Sequence, residues 1–155
     1  MKKVPVILAS FVAVIAVPAV VLGAPSAKTD HRQFVVVSRD SQGTITPSDF
    51  GPSSAQNQQA AADAPVYRNA RMVGRTETAL TITHAGAEDL QAMIECTVEL
   101  PEGKILFAGA FKFADLGHGA VVPVVGGTGA YKGAAGTVVI RSPDPSQTKL
   151  TFDLR

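Results

Sequence analysis

The side chains in this sequence that could take part in chemistry are few and scattered. Cys96 is the only cysteine, and its thiol is a candidate nucleophile. However, Ile94 and Val98 lie on the same face of the predicted strand as Cys96. This predicts a buried position, where cysteine behaves as a small apolar residue. His84 precedes Ala85-Gly86, where an imidazole at a strand end could act as an acid or base, although no charged neighbour would tune it. Both residues are therefore candidates for the wall of a binding site.

The two tyrosines combine an aromatic ring with a hydroxyl group. Tyr67 and Tyr131 could each contribute an apolar wall and a hydrogen bond to a ligand oxygen. Tyr131 could equally be structural, because glycines surround it. The three histidines, at positions 31, 84 and 118, do not have the spacing of a zinc or copper site. We therefore expect no metal site.

Short alternating segments between turn residues predict an all-β domain that positions these side chains. Strands are expected at 33–39, 66–69, 72–84, 90–100, 104–113, 119–124, 134–141 and 148–154. Turns at 85–87, 101–103 and 142–145 are too short for parallel connections, so consecutive strands must be antiparallel. Eight such strands form either a sandwich or an up-and-down barrel. We predict an eight-stranded antiparallel β-barrel, because closure removes exposed edges and the interior can hold one small ligand.

Residue alternation predicts which side chains face the interior. Ile94, Cys96 and Val98 lie on one face of their strand, and Leu150, Phe152 and Leu154 on one face of theirs. In segment 104–113 both faces carry apolar residues, with Leu106, Ala108 and Ala110 opposite the phenylalanines. This pattern predicts a strand that is covered on both sides or that lies near a subunit contact.

Segment 41–65 is rich in Gly, Pro, Ser, Gln, Asn and Ala and has almost no large apolar residues. Such a segment cannot bury enough surface to offset its ordering entropy. We predict a long polar loop over 41–65, or a short Ala/Gln helix near 55–62.

The first residues predict export from the cytoplasm. Lys2 and Lys3 precede an apolar run over 4–22 and small residues over 23–27, the order typical of a secretory signal peptide. We predict a signal peptide over 1–26, with an uncleaved membrane anchor as the alternative, and a single secreted or extracytoplasmic domain over 27–155. Without Lys2 and Lys3, 12 basic residues face 13 acidic ones, a net charge of about −1. We expect no nucleic acid partner and, after cleavage, no membrane partner.

The most distinctive segment spans 123–139. Its glycines stand at 126, 127, 129, 133 and 136, with Thr128 and Tyr131 between them. A β-branched strand follows, so the helix that a phosphate-binding loop needs is missing. The segment resembles the signature shared by allene oxide cyclases and dirigent proteins, and bacterial allene-oxide-cyclase-like barrels are the closer resemblance. Similarity extends from about Gln33 to Leu154.

This resemblance implies an eight-stranded barrel that binds a hydrophobic small molecule and steers its cyclisation or stereoselective coupling without a cofactor. The residues that we expect to bind the ligand are Tyr67, Leu80, Ile82, His84, Cys96, Phe107, Phe111 and Tyr131. Where allene oxide cyclases carry Glu and Asn on the first strand, this sequence aligns Val35 and Val37, and their third-strand cysteine falls at Ala79. No catalytic residue is therefore assigned.

Three functions stay open at this point. The barrel is a cyclase or isomerase, a carrier of a hydrophobic ligand, or a structural barrel that forms a homo-oligomer, either a dimer or a trimer.

Overall fold

The computed structural model describes residues 31–49, 54–86 and 89–155, so the predicted signal peptide lies outside the described residues. The strands are β1 (Arg32–Ser38), β2 (Thr44–Thr46), β3 (Gln59–Arg68), β4 (Arg71–Ala85), β5 (Leu90–Leu100), β6 (Gly103–Lys112), β7 (Ala120–Gly127), β8 (Gly136–Asp144) and β9 (Gln147–Leu154). Three 3₁₀ turns accompany them: η1 (Asp40–Gln42), η2 (Phe113–Gly117) and η3 (Gly129–Tyr131).

Antiparallel pairing of neighbouring strands closes the sheet into a barrel. From β3 to β9 each strand pairs with the next, and β1 then pairs with β9 along its whole length. The other edge of β1 meets β3, where Val37 lies opposite Tyr67 and Ser38 opposite Val66. The short β2 adds to β3 at the rim. The predicted eight-stranded antiparallel barrel is confirmed.

The predicted interior faces of the strands are also confirmed. Ile94, Cys96 and Val98 are buried, and so are Phe152 and Leu154 on the strand that closes the barrel. These side chains point inward because alternate residues of a strand lie on opposite faces, and one face of each strand is covered by the barrel itself.

The prediction of a loop or helix was wrong for two parts of segment 41–65: Thr44–Thr46 forms β2, and Gln59–Pro65 belongs to β3. Each residue from Gln59 to Pro65 has a partner in β4, from Thr81 to Arg75. Ala60 and Ala64 are buried because their small side chains fit inside the barrel. Long-range backbone pairing with β4 therefore outweighs the weak strand preference of alanine. Of the predicted loop, residues 50–53 lie outside the described residues.

Aromatic rings fill one end of the barrel. Phe34 stacks on Phe152, with ring centroids 5.0 Å apart, and Tyr131 lies 5.9 Å from Phe34. The guanidinium groups of Arg32 and Arg68 lie 5.5 and 5.2 Å from the Phe34 ring centroid and cover it. Such contacts between cations and ring faces are favourable. We call this the packed end.

The glycine-rich segment places Tyr131 in the packed end. Gly129 has φ +59°, and a Cβ there would lie 2.5 Å from the carbonyl oxygen of Glu102. This approach lets the amide of Ala130 donate to the Glu102 carbonyl at 2.8 Å. η3 is thereby held against the turn between β5 and β6, with the Tyr131 ring directed inward and buried.

We predict that Gly129→Ala destabilises the barrel by about 2 kcal/mol, because a side chain is strained at positive φ and collides with backbone. Gly126→Ala is the matched control from the same segment, since a Cβ there meets nothing within 4 Å. Urea unfolding followed by circular dichroism measures both. Equal midpoints for the two variants would contradict this role of Gly129.

Candidate ligand-binding cavity

The half of the barrel away from the packed end contains a cavity of about 360 Å³. Its wall combines apolar and polar side chains of the barrel interior with side chains of the rim. The apolar members are Ile45, Ala62, Ala64, Leu80, Ile94, Phe107, Phe111, Phe113, Leu116, Ile140, Pro145 and Leu150. The others are Ser38, Asp40, Gly43, Thr44, Asp63, Thr76, Thr78, Cys96, Ser142 and Thr148.

Phe107 separates the cavity from the packed end. Its ring lines the cavity and also meets the edge of Phe152, with centroids 6.2 Å apart. Phe111 lies further along β6 and contacts Phe113 of η2 at 5.2 Å. The cavity therefore has an aromatic wall along β6 that continues into η2.

η1 is held over the rim by backbone hydrogen bonds to two different parts of the barrel. The amide of Arg39 donates to the carbonyl of Pro65 at 3.0 Å, and the amide of Ser41 donates to that of Ser146 at 3.1 Å. Gly43 follows, and a Cβ there would lie 2.0 Å from the Asp63 carbonyl oxygen. This close approach to β3 fixes Asp40 at the cavity wall.

Asp40 is the centre of a chain of hydroxyl groups. Ser38 Oγ donates to Asp40 Oδ1 at 2.8 Å, and Thr148 Oγ1 donates to Oδ2 at 2.7 Å. Ser142 Oγ lies 2.7 Å from Thr148 Oγ1. Among the residues that the structure describes, no Lys, Arg or His side chain lies within ion-pair distance of Asp40. We call Ser38, Asp40, Ser142 and Thr148 the hydroxyl chain.

Asp63 is a second carboxylate on the cavity wall, and it has a cationic partner. It accepts hydrogen bonds from the Thr44 hydroxyl and the Arg75 guanidinium. These two donors, Thr44 first, hold the pKa of Asp63 below its usual value. The carboxylate is thus kept ionised and paired.

Cys96 faces the cavity as a neutral thiol. Burial raises the pKa of Cys96 to about 12, although Thr78 Oγ1 donates a hydrogen bond to Sγ at 3.2 Å. Since the thiolate is the nucleophile, this residue has no activated form near neutral pH. It is part of the wall rather than a catalytic nucleophile.

The cavity brings together four of the eight side chains that the sequence suggested for ligand binding: Leu80, Cys96, Phe107 and Phe111. Ile82 is fully buried but is not among the lining residues, and His84 is exposed. The pairing of β4 with β5 shifts register between Ile82 and His84, so the simple alternation that grouped them ends there.

The two tyrosines lie outside the cavity wall. Tyr131 fills the packed end, as described above. Tyr67 donates its hydroxyl hydrogen to Gln42 Oε1 at 2.8 Å, and its ring lies 4.0 Å from the guanidinium of Arg39. It therefore supports the segment that carries η1.

The positions aligned with polar residues of allene oxide cyclases lie on the outside. Val35 and Val37 alternate with the buried Val36, and Ala79 is exposed. The inward polar residues are instead Ser38 on β1 and Thr76 and Thr78 on β4. Sequence reasoning missed the hydroxyl chain because its members come from both ends of the domain, and only strand alternation could have indicated Ser38.

Within 31–49, 54–86 and 89–155, no group of three or more His, Cys, Asp or Glu residues is placed to hold a metal ion. No helix in the described part of the chain has the length and apolar character to cross a membrane.

The barrel and its cavity can be compared with known proteins. The family model of the allene oxide cyclase barrel like domain matches residues 40–152. This chain belongs to that family. No curated protein sequence matches this member of the family.

Solved structures share the barrel. A pyocyanin demethylase superposes with a TM-score of 0.66 at 17% identity, over 79% of this chain and 99% of that one. AbnU, an exo-specific intermolecular Diels-Alderase, gives 0.64 at 19% identity, over 80% and 97%. A nonspecific heme-binding cyclase that catalyses a [4 + 2] cycloaddition in neoabyssomicin biosynthesis gives 0.60 at 16% identity, over 84% and 70%. At these identities the likeness establishes the fold alone.

We predict that native Cys96 reacts slowly with Ellman's reagent between about pH 7 and pH 9, and that the rate keeps rising with pH without reaching a plateau, because only a very small fraction of the thiol is ionised in this range. The same protein in urea should react rapidly. The raised pKa of Cys96 also lowers the free energy of unfolding as the pH rises from about 9 toward about 12, because the unfolded thiol ionises first. Rapid stoichiometric labelling of the native protein near pH 8 would show an activated thiol instead.

Proposed function

We propose that this family member binds a hydrophobic small molecule in the cavity and steers its cyclisation or stereoselective coupling without a cofactor. The observation that supports this is the cavity itself, a space of about 360 Å³ with an aromatic floor and a hydrogen-bonded polar rim. Ligand sites of this kind enclose roughly 300–1,000 Å³, so a compact substrate fits better than a long polyene.

The chemistry would come from shape and from exclusion of water. A reaction within one molecule is accelerated when the reacting atoms are held close together in the correct orientation. The neutral Cys96 offers no nucleophile, and we assign no side chain a catalytic role. Two of the similar structures are described as catalysts of cycloaddition. This supports a reaction type in which enclosure matters more than a reactive residue.

A non-catalytic carrier is the second candidate. The neutral thiol favours it, because binding needs enclosure alone and no activated side chain.

We also propose that the protein acts after export, in a secreted or extracytoplasmic location, as the sequence of its first residues indicates.

A structural homo-oligomer is the third candidate. Val121 and Val125 on β7 are each 61% exposed, and Leu106 on β6 is 38% exposed. These side chains form an apolar outer surface, which is consistent with a dimer or trimer. Such an assembly is compatible with either a cyclase or a carrier.

We predict that Ala62→Phe weakens ligand binding at least tenfold, because Ala62 lines the cavity and the larger ring would occupy it. Ala61→Phe is the control, since Ala61 is on the same strand but exposed on the outer face. Native mass spectrometry of the mature protein, with and without the neutral dye N-phenyl-1-naphthylamine, reports occupancy. We expect the dissociation constant to be at least tenfold higher for Ala62→Phe and unchanged for Ala61→Phe. Ala62→Leu, a milder filling variant, serves if the first does not fold.

A compound that co-purifies with the protein would separate enzyme from carrier. Cyclisation within one molecule conserves the molecular formula, so an enzyme should convert the compound to an isomer of equal mass and different retention time. A carrier would return it unchanged.

For the dye experiment, two outcomes would contradict binding in this cavity: both Ala61→Phe and Ala62→Phe lose dye binding, or both keep it.

A further inference from the structure

The hydrogen atoms of the hydroxyl chain can be assigned from its geometry. An ionised carboxylate only accepts hydrogen bonds, so Ser38 and Thr148 must both donate to Asp40. A threonine hydroxyl has one hydrogen. In the 2.7 Å contact between Ser142 and Thr148, Ser142 must therefore be the donor. The chain is directional, and all three of its hydroxyl hydrogens are engaged with protein oxygens.

The hydroxyl groups elsewhere on the cavity wall are engaged in the same way. Thr44 donates to Asp63, Thr76 Oγ1 donates to the Ala64 carbonyl at 3.3 Å, and Thr78 donates to Cys96 at 3.2 Å. All six hydroxyl side chains that line the cavity thus donate to protein acceptors. Their oxygen atoms still have lone pairs that can accept a hydrogen bond from a ligand, whereas the thiol of Cys96 is only a weak donor. The side chains of the wall therefore offer a ligand acceptors rather than donors.

The net charge of the wall also favours ligands that bring a hydrogen-bond donor. Arg75 neutralises Asp63, whereas Asp40 has no cationic partner among the described residues. Its chain neighbour Arg39 is held on the ring of Tyr67 instead. Asp40 is exposed at the rim, and its unpaired negative charge attracts a cation and repels an anion there.

We propose that the cavity selects apolar molecules that carry a hydrogen-bond donor, as a hydroxyl or an ammonium group, and rejects those that carry a carboxylate. The donor group lies at the hydroxyl chain and the apolar skeleton lies against Phe107 and Phe111. This inference rests on the proposed function and narrows its substrate class.

Four naphthalenes with one skeleton test the selection: 1-naphthylmethylamine, 1-naphthylmethanol, its methyl ether and 1-naphthylacetate. Isothermal titration of the mature protein gives each dissociation constant. We expect the ammonium and the alcohol to bind at least tenfold more tightly than the ether and the carboxylate. A carboxylate or ether that binds as tightly as the ammonium overturns the inference but leaves ligand binding in the cavity intact. Absence of binding by all four overturns the proposed function and the inference together.

Asp40→Asn locates the selection at the hydroxyl chain. The amide removes the charge and introduces N–H donors, so ammonium binding should weaken about tenfold and carboxylate binding should strengthen. Asp153→Asn is the control, because it changes the charge equally at a residue five positions along β9 from Thr148, roughly 17 Å away. We expect it to leave all four constants unchanged.

Thr148→Val is a second variant. Valine has a shape similar to that of threonine, and the substitution keeps the charge of Asp40. It removes the acceptor of Ser142, whose hydroxyl hydrogen then becomes available to the ligand. Binding of the methyl ether should strengthen several-fold in this variant. If neither Asp40→Asn nor Thr148→Val changes the order of the four ligands, the hydroxyl chain does not determine selection and the inference is overturned.

Discussion

β1 forms backbone hydrogen bonds along both of its edges, with β9 over its full length and with β3 at Val37 and Ser38. The second pairing is short, yet it converts an open sheet into a closed barrel. Closure gives every strand from β3 to β9 a hydrogen-bonded neighbour on both sides and creates one continuous interior. The long pairing of β1 with β9 brings the start of the domain against its end and places Ser38 opposite Thr148, so that Ser38 and Asp40 meet Ser142 and Thr148.

The interior is filled unequally along the barrel axis. At one end Phe34, Tyr131 and Phe152 pack against one another beneath two arginines. At the other end small residues on β3, Ala62 and Ala64, and the hydroxyl residues of β4 leave space. Large rings stabilise the barrel at its closed end, which allows the open half to contain a cavity without loss of the fold.

Much of this architecture follows from local sequence pattern. The strand of Cys96 and the strand of Phe152 alternate so regularly that their inward faces could be predicted. β3 could not, because alanine has little strand preference and long-range pairing with β4 decides its conformation.

The site was less accessible to prediction than the fold. Apolar wall residues such as Phe107 and Phe111 follow from alternation, whereas His84 leaves the interior at a register shift that no local signal announces. The hydroxyl chain depends on contacts between residues more than 100 positions apart, such as Thr148 and Asp40. The pairing of β1 with β9, which places Ser38 opposite Thr148, brings them together.

The central claim is that an apolar molecule binds inside the barrel rather than on its surface. Methyl-detected NMR titration of the mature protein with 1-naphthylmethanol tests this most directly, because methyl groups report both regions in one spectrum. Our account predicts shift changes at Leu80, Ile94 and Leu150, with Val121 and Val125 unchanged. Changes centred on Val121 and Val125, with the interior methyl groups unaffected, would contradict it.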